Sequence, residues 1–244
     1  MVRRYISVVS MRSLIIPSSL RSGSQTIAMT PQPGTRTISV APERLAGWLA
    51  GFAERHGDPG VDLTPDRLTL HAPDGAQAVF PLAWGPLPDG DPLAALVAES
   101  TRDRRVGAVI ARRQAHAVGI FEGSRLVAGR HGHHYVQGRT KAGGWSQQRY
   151  ARRRANQAGK SFDAAADDVA EILLPAVATL EALVLGGDRA AVAAVLAHPD
   201  LAPLANERLR HGTAVFGVPD PNAGVLAGFG ELFRKVVVEL NQLA

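Results

Sequence analysis

Between Glu122 and Asp163 the chain contains no acidic residue, yet it carries Arg125, Arg130, Arg139, Lys141, Arg149, Arg152, Arg153, Arg154 and Lys160. Cations in such number, with no acid among them, are poor material for a core, because a buried charge needs a partner. The rest of the chain reads as the body that carries the basic segment. From Arg102 to Lys160 there are 14 Lys or Arg against two acids, Asp103 and Glu122, a local charge of +12 in a chain of net charge +5. Of the 27 basic residues 24 are Arg, a preference that a GC-rich coding sequence explains, but codon usage does not explain their concentration in a quarter of the chain. A basic segment beside acidic neighbours is the electrostatic footprint of a nucleic-acid binder.

Within the segment, Arg139-Thr140-Lys141-Ala142 leads into Gly143-Gly144, then Trp145-Ser146-Gln147-Gln148 and the Arg-rich run from Arg149. Paired glycines permit backbone conformations closed to other residues and let the chain approach a ligand closely. The spacing after them predicts a helix from about Trp145 to Gln157, broken by Gly159. On that helix Arg149, Arg152, Arg153 and Lys160 share one broad face with no acid at helical spacing, which favours phosphate contact over a solvated surface face. Trp145 and Tyr150 could stack on an unpaired base, although a lone helical aromatic such as Tyr150 more often packs inward.

The flanks read as follows. Residues 1–35 are Ser- and Arg-rich without an acid and hold Met1, Met11 and Met29. They read as a lead-in before the folded part and lack the apolar centre of a secretory signal. Ile38 and Val40 suggest a strand, and Leu45, Trp48, Leu49 and Phe52 one face of a helix that closes near Gly57. Pro73-Asp74-Gly75 between two apolar runs signals a hairpin, residues 81–92 a linker, and Leu93 to Glu99 a short helix. Residues 36–100 thus form a small α+β cap.

From Val106 to Val136 alternating strands and turns predict an antiparallel meander. Ser161 is a candidate N-cap for a helix with Phe162, Ala166, Val169, Leu173, Val177 and Leu180 on its buried face, interrupted at Pro175. A strand at 181–185, a helix at 188–197, a strand at 213–217 and a closing helix over 223–240 complete the chain. The fold class is α+β or α/β: residues 101–244 form a mixed sheet with an antiparallel meander, covered by helices.

Three chemical leads are weak. Gly159-Lys160-Ser161 lacks the earlier glycine of a phosphate-binding loop, since position 154 is Arg154. His131, His133 and His134 have ring nitrogens suited to zinc but no nearby carboxylate, and neighbours in a strand face opposite ways. Ser146 has neither a nucleophile elbow nor a matching base. The chain has no cysteine, so disulfides and thiolate chemistry are excluded and a cytoplasmic setting is expected. It has no apolar run of the ~18 residues a membrane span needs.

The run Gly143-Gly144-Trp145-Ser146-Gln147-Gln148-Arg149-Tyr150-Ala151-Arg152-Arg153-Arg154 resembles the Gly-Gly-Gln loop and following helix in the middle domain of the eukaryotic and archaeal class-1 translation release factors. The resemblance extends to Leu183-Val184-Leu185-Gly186-Gly187-Asp188, which is similar to a strand and glycine turn of the same domain. Trp145 stands where those factors carry glutamine. The Vms-like release factors of ribosome quality control place it later, as Gly-x-x-Gln, and Gly144-Trp145-Ser146-Gln147 is similar to that form. The sequence thus resembles a bacterial, actinobacterial-type member of that branch.

The resemblance implies a codon-independent enzyme of peptidyl-tRNA hydrolase type, acting on stalled large ribosomal subunits without a cofactor or metal. Gly143 and Gly144 would let the loop enter the peptidyl-transferase centre, and Gln147, with Gln148 as the competing assignment, would act there. Arg139, Lys141, Trp145, Arg149, Arg152, Arg153, Arg154 and Lys160 would hold ribosomal RNA or the tRNA acceptor stem. Cleavage of the tRNA acceptor end by the same loop, and a non-catalytic factor that binds ribosome or tRNA, are the alternatives.

Overall fold

The computed structural model describes residues 35–112, 114–133, 161–206 and 209–244. The lead-in up to residue 34 lies outside them, as do His134, the expected helix over 145–157 and every residue from Arg139 to Lys160 named above. The described residues contain two five-stranded sheets.

The first sheet has the order β1-β10-β4-β3-β2 and is antiparallel throughout: β1 Arg36–Val40, β2 Gly60–Leu63, β3 Arg67–His71, β4 Gln77–Pro81 and β10 Val236–Leu240. Alternation along β3 and β4 turns Leu68, Leu70, Ala78 and Phe80 inward. Two helices cover that face, α1 Leu45–His56 and α2 Pro92–Thr101, contributing Leu45, Phe52 and Leu96 to the core. Trp48 stacks on Phe52 at 5.5 Å and meets Phe80 edge-on at 5.6 Å. The hairpin at Pro73-Asp74-Gly75 forms as the sequence indicates, with Gly75 at a φ of 90° and the Asp74 carboxylate accepting from the Ala76 N–H at 2.9 Å. Sequence reasoning did not anticipate β2, whose residues are all exposed.

The second sheet has the order β7-β6-β5-β8-β9. β5 Arg105–Arg112, β6 Ala115–Glu122 and β7 Arg125–His133 form the expected meander. A helix whose described part spans 161–173, here α3, then crosses over to β8 Ala182–Gly187, which pairs parallel to β5. α4 Arg189–Leu196 leads on to β9 Arg210–Phe216, parallel to β8. Ser161 is itself helical and buried, so it is not the extended N-cap residue that the sequence suggests. Pro175 ends α3 in a 3-10 turn, Leu174–Ala176, since proline cannot supply the helical N–H.

Both faces of this sheet are covered. On one, Val109, Ala111, Val118 and Ile120 pack beneath Ala166, Val169 and Leu173 of α3 and Val192 and Val195 of α4. On the other, Val106, Ala108, Ile110, Ala117 and Phe121 meet Leu226, Phe229 and Phe233 of α5 Ala223–Phe233. The closing helix expected over 223–240 stops at Phe233, and β10 follows. The consecutive β-branched residues Val236-Val237-Val238 favour extended chain, and Val238 and Leu240 turn into the first sheet. β10 pairs along its whole length with β1 and through Glu239 and Leu240 with β4.

The expected linker is irregular over 82–91, between the end of β4 and the start of α2, yet Trp84 within it is anchored. It meets Phe233 edge-on at 6.4 Å, and the Arg104 guanidinium lies 4.6 Å from its ring centroid. Arg104 is buried and donates to the Glu99 backbone carbonyl at 2.6 Å and to the Glu99 carboxylate.

Candidate functional site

Topology places both attachment points of the basic segment at one edge of the second sheet. β5 and β8 are parallel and end at Arg112 and Gly187, which lie beside one another, Ala111 pairing with Gly187. β6 begins at that edge and β7 finishes there, with Ala115 paired to His133. α3 crosses from this edge back to the start of β8, so residue 161 returns where residue 133 departs. In open sheets with parallel strands this carboxyl edge is where ligand-handling segments are usually mounted. The residues read as functional, Arg139, Lys141, Gly143, Gly144, Trp145, Gln147, Gln148, Arg149, Arg152, Arg153, Arg154 and Lys160, lie between the two attachment points and outside the described residues.

The edge itself is held by ionic ties. Arg112 at the end of β5 donates to the Val218 carbonyl at 3.2 Å, and its guanidinium lies 3.5 Å from Asp188 and 3.6 Å from Asp220. It thereby joins the turn after β8 to the loop before α5. Gly187 has a φ of 94° there, and a Cβ on it would collide with the Ala111 carbonyl, so only glycine closes this turn.

A second group joins the meander to α3. His116 on β6 is buried, and its Nε2 lies 2.8 Å from Asp168 Oδ2. A carboxylate only accepts, so Nε2 carries the proton. Arg130 on β7 donates to the other Asp168 oxygen at 2.9 Å and makes a two-pronged contact with Glu171 at 2.5 and 2.6 Å. Asp168 and Glu171 are three apart on α3 and so project from one side of it. Gly132 faces His116 across the strand pair, and a Cβ there would strike the imidazole ring. Burial pushes the Asp168 carboxyl up, but the hydrogen bonds from His116 and Arg130 outweigh it and hold it below its ordinary value.

None of these four residues carries a sequence signal of function. The available sign was a histidine inside the otherwise apolar strand Ala115–Phe121. His131 and His133 are exposed and two apart on β7, hence on one face of that strand. Among the described residues no group of three or more His, Asp or Glu side chains is arranged to hold a metal ion. Nor is any helix among them long and apolar enough to cross a membrane.

Among solved structures, an archaeal translation termination factor, aRF1, aligns over 84% of this chain and 68% of its own, at 12% identity and a TM-score of 0.37. A second, described as an archaeal protein, aligns over 82% of this chain and 65% of its own, at 12% identity and a TM-score of 0.34. The chain therefore spans about two thirds of the length of either structure. No curated protein matches it in sequence. The model of the actinobacterial and chloroflexi VLRF1 release factors matches residues 104–239, from the start of the meander to the final strand and across the whole basic segment. A match over more than half of the sequence shows the family, and the chain belongs to the VLRF1 release factors of actinobacteria and chloroflexi.

Proposed function

We propose that this protein frees nascent peptide from peptidyl-tRNA on stalled large ribosomal subunits, independently of the codon, by hydrolysing the ester through Gly143-Gly144-Trp145-Ser146-Gln147. The observation that carries the reading is the family match across 104–239, which includes this Gly-Gly-x-x-Gln run and the basic residues after it. The ester is activated, so the reaction needs little beyond a positioned water and a stabilised oxyanion. Water attacks the carbonyl carbon, the bond to the ribose oxygen breaks, and that oxygen takes up the proton. Gln147 orients the water or stabilises the charge developing on oxygen through its amide or its backbone N–H, and does so without titrating. Gly143 and Gly144 give the backbone the freedom to enter a narrow site. Arg149, Arg152 and Arg153 neutralise phosphates of ribosomal RNA or of the acceptor stem.

The test uses large subunits carrying labelled peptidyl-tRNA, with the tRNA 3′ end resolved on a gel. Wild type is expected to give free peptide and full-length tRNA, and Gln147→Ala to lower the rate by ~10²- to 10³-fold. Equal rates would remove Gln147 from the chemistry and pass the role to Gln148. Peptide still joined to a short RNA fragment would establish cleavage of the tRNA instead. Trp145, where class-1 factors carry their glutamine, is the residue that favours the second reading, a binding factor without chemistry. That reading predicts subunit binding with neither product.

A further inference from the structure

The group formed by His116, Asp168, Arg130 and Glu171 ties the two strands before residues 134–160 to the second and third described turns of the helix after them. His116 and Arg130 stand on the last two strands before the segment, and Asp168 and Glu171 on the helix that follows it. An ordinary surface ion pair contributes little to stability and fixes little. This one differs in two respects. The His116 side chain is 5% exposed and Asp168 20%, so their contact is shielded from water. The Asp168 carboxylate is also shared, one oxygen facing each strand, and the Arg130–Glu171 fork adds a direction to the tie. Gly132 leaves the space in which the His116 ring lies. The apolar packing of α3 lies mainly on Ala165, Ala166, Val169 and Leu173, beneath the middle of the sheet. The polar group instead fixes where α3 stands relative to the meander's outer strands.

We propose that these four side chains form a staple that sets the spacing between the end of β7 and the start of α3, and that they are thereby positioning residues for the release reaction. The proposal rests on the reading of Gln147 given above. A catalytic group brought to its target from a base that shifts by about 1 Å can lose ~10²-fold in rate although nothing in the chemistry has changed. The staple therefore acts on kcat, through Gln147, and leaves recognition of the ribosome to the basic residues.

The chain has no cysteine, so paired labels can be placed without background. Spin labels on His133→Cys and Asp163→Cys, both exposed positions, report the spacing directly. The wild-type background should give one narrow distance distribution. Arg130→Gln should broaden it, and Glu171→Gln, a milder change at an exposed side chain, should broaden it less. In the peptide-release assay, at a temperature where circular dichroism shows every variant folded, the single-turnover rate at saturating subunits should fall ~10- to 10²-fold for Arg130→Gln. The half-saturating subunit concentration should stay where it is, and Arg130→Lys should recover part of the rate. A network that only stabilises the fold would lower the melting temperature and leave the rate of the folded protein unchanged, which overturns the positioning role. Identical distance distributions in wild type and Arg130→Gln overturn the staple itself. If the wild type releases no peptide, the release reading fails and the positioning role falls with it; a wild type that releases, matched by its variants, removes only the latter.

Discussion

Asp168 is the residue on which the described part of the site depends most. Its carboxylate accepts from a buried imidazole and from a guanidinium, and its pKa is held below the ordinary carboxylate value despite partial burial. A lowered native pKa means that the contribution to stability is fully present above the unfolded value of ~3.9 and is lost as pH falls through the native value. Asp168→Ala leaves the buried His116 N–H without its acceptor and should cost about 1–3 kcal/mol at pH 7. Denaturant midpoints at pH 7 and near pH 3 check this, the gap between wild type and variant narrowing at the lower pH. A gap independent of pH would show that the ionised carboxylate is not what supports the fold. The basic segment is legible in the sequence because its residues are consecutive. Its base is not, since His116 and Asp168 are 52 residues apart and Arg130 and Glu171 are 41 apart, and no local pattern encodes such pairs.

Helix α5 shows how glycines decide where an element sits. Gly119 and Gly129 are paired across β6 and β7, and a Cβ on either would press into Leu226 and a strand carbonyl, so their bare backbones form the floor on which α5 rests. From the helix side, a Cβ on Gly230 would run into the backbone of Ser124, whereas one on Gly228 would meet nothing within 4 Å. The two Gly→Ala substitutions, two residues apart in one helix, should therefore have opposite signs. Gly228→Ala should stabilise by about 0.5–1 kcal/mol through helix propensity. Gly230→Ala should destabilise by about 1–3 kcal/mol, because helix and turn must move apart. Thermal melts of the two variants check it, and a shared sign would mean that α5 is not seated on the turn. The meander and β8 are readable as short apolar runs between turn signals, and α3 from apolar residues recurring at three and four. The end of α5 is not, since Phe229, Phe233 and Val236 continue a helical spacing. What stops the helix there is a vacant place between β1 and β4, and only the assembled first sheet provides it.

That last strand makes the two sheets thermodynamically dependent on one another. Phe229 and Phe233 belong to the core of the second sheet, and Val238 and Leu240 a few residues later to the core of the first. Among the described residues β1 pairs with β10 alone, so without β10 it has no neighbour there. Trp84 strengthens the dependence, reaching from the 82–91 segment to Phe233 and lying beneath Arg104. If α5 leaves its sheet, the chain that anchors β10 goes with it, and the first sheet loses the strand that joins β1 to β4. The molecule should therefore unfold in one transition, with a calorimetric enthalpy equal to the van't Hoff value, although it contains two sheets and separate cores. Val238→Ala, which removes methyl groups from a site with no exposure in the first sheet, tests the coupling at a distance. It should lower the melting of the second sheet's signals, such as amide exchange in β5 and β6, by as much as it lowers those of β3 and β4. Two resolved transitions, with only the lower one moved by Val238→Ala, would show that the sheets unfold separately and that β10 is merely laid across the junction.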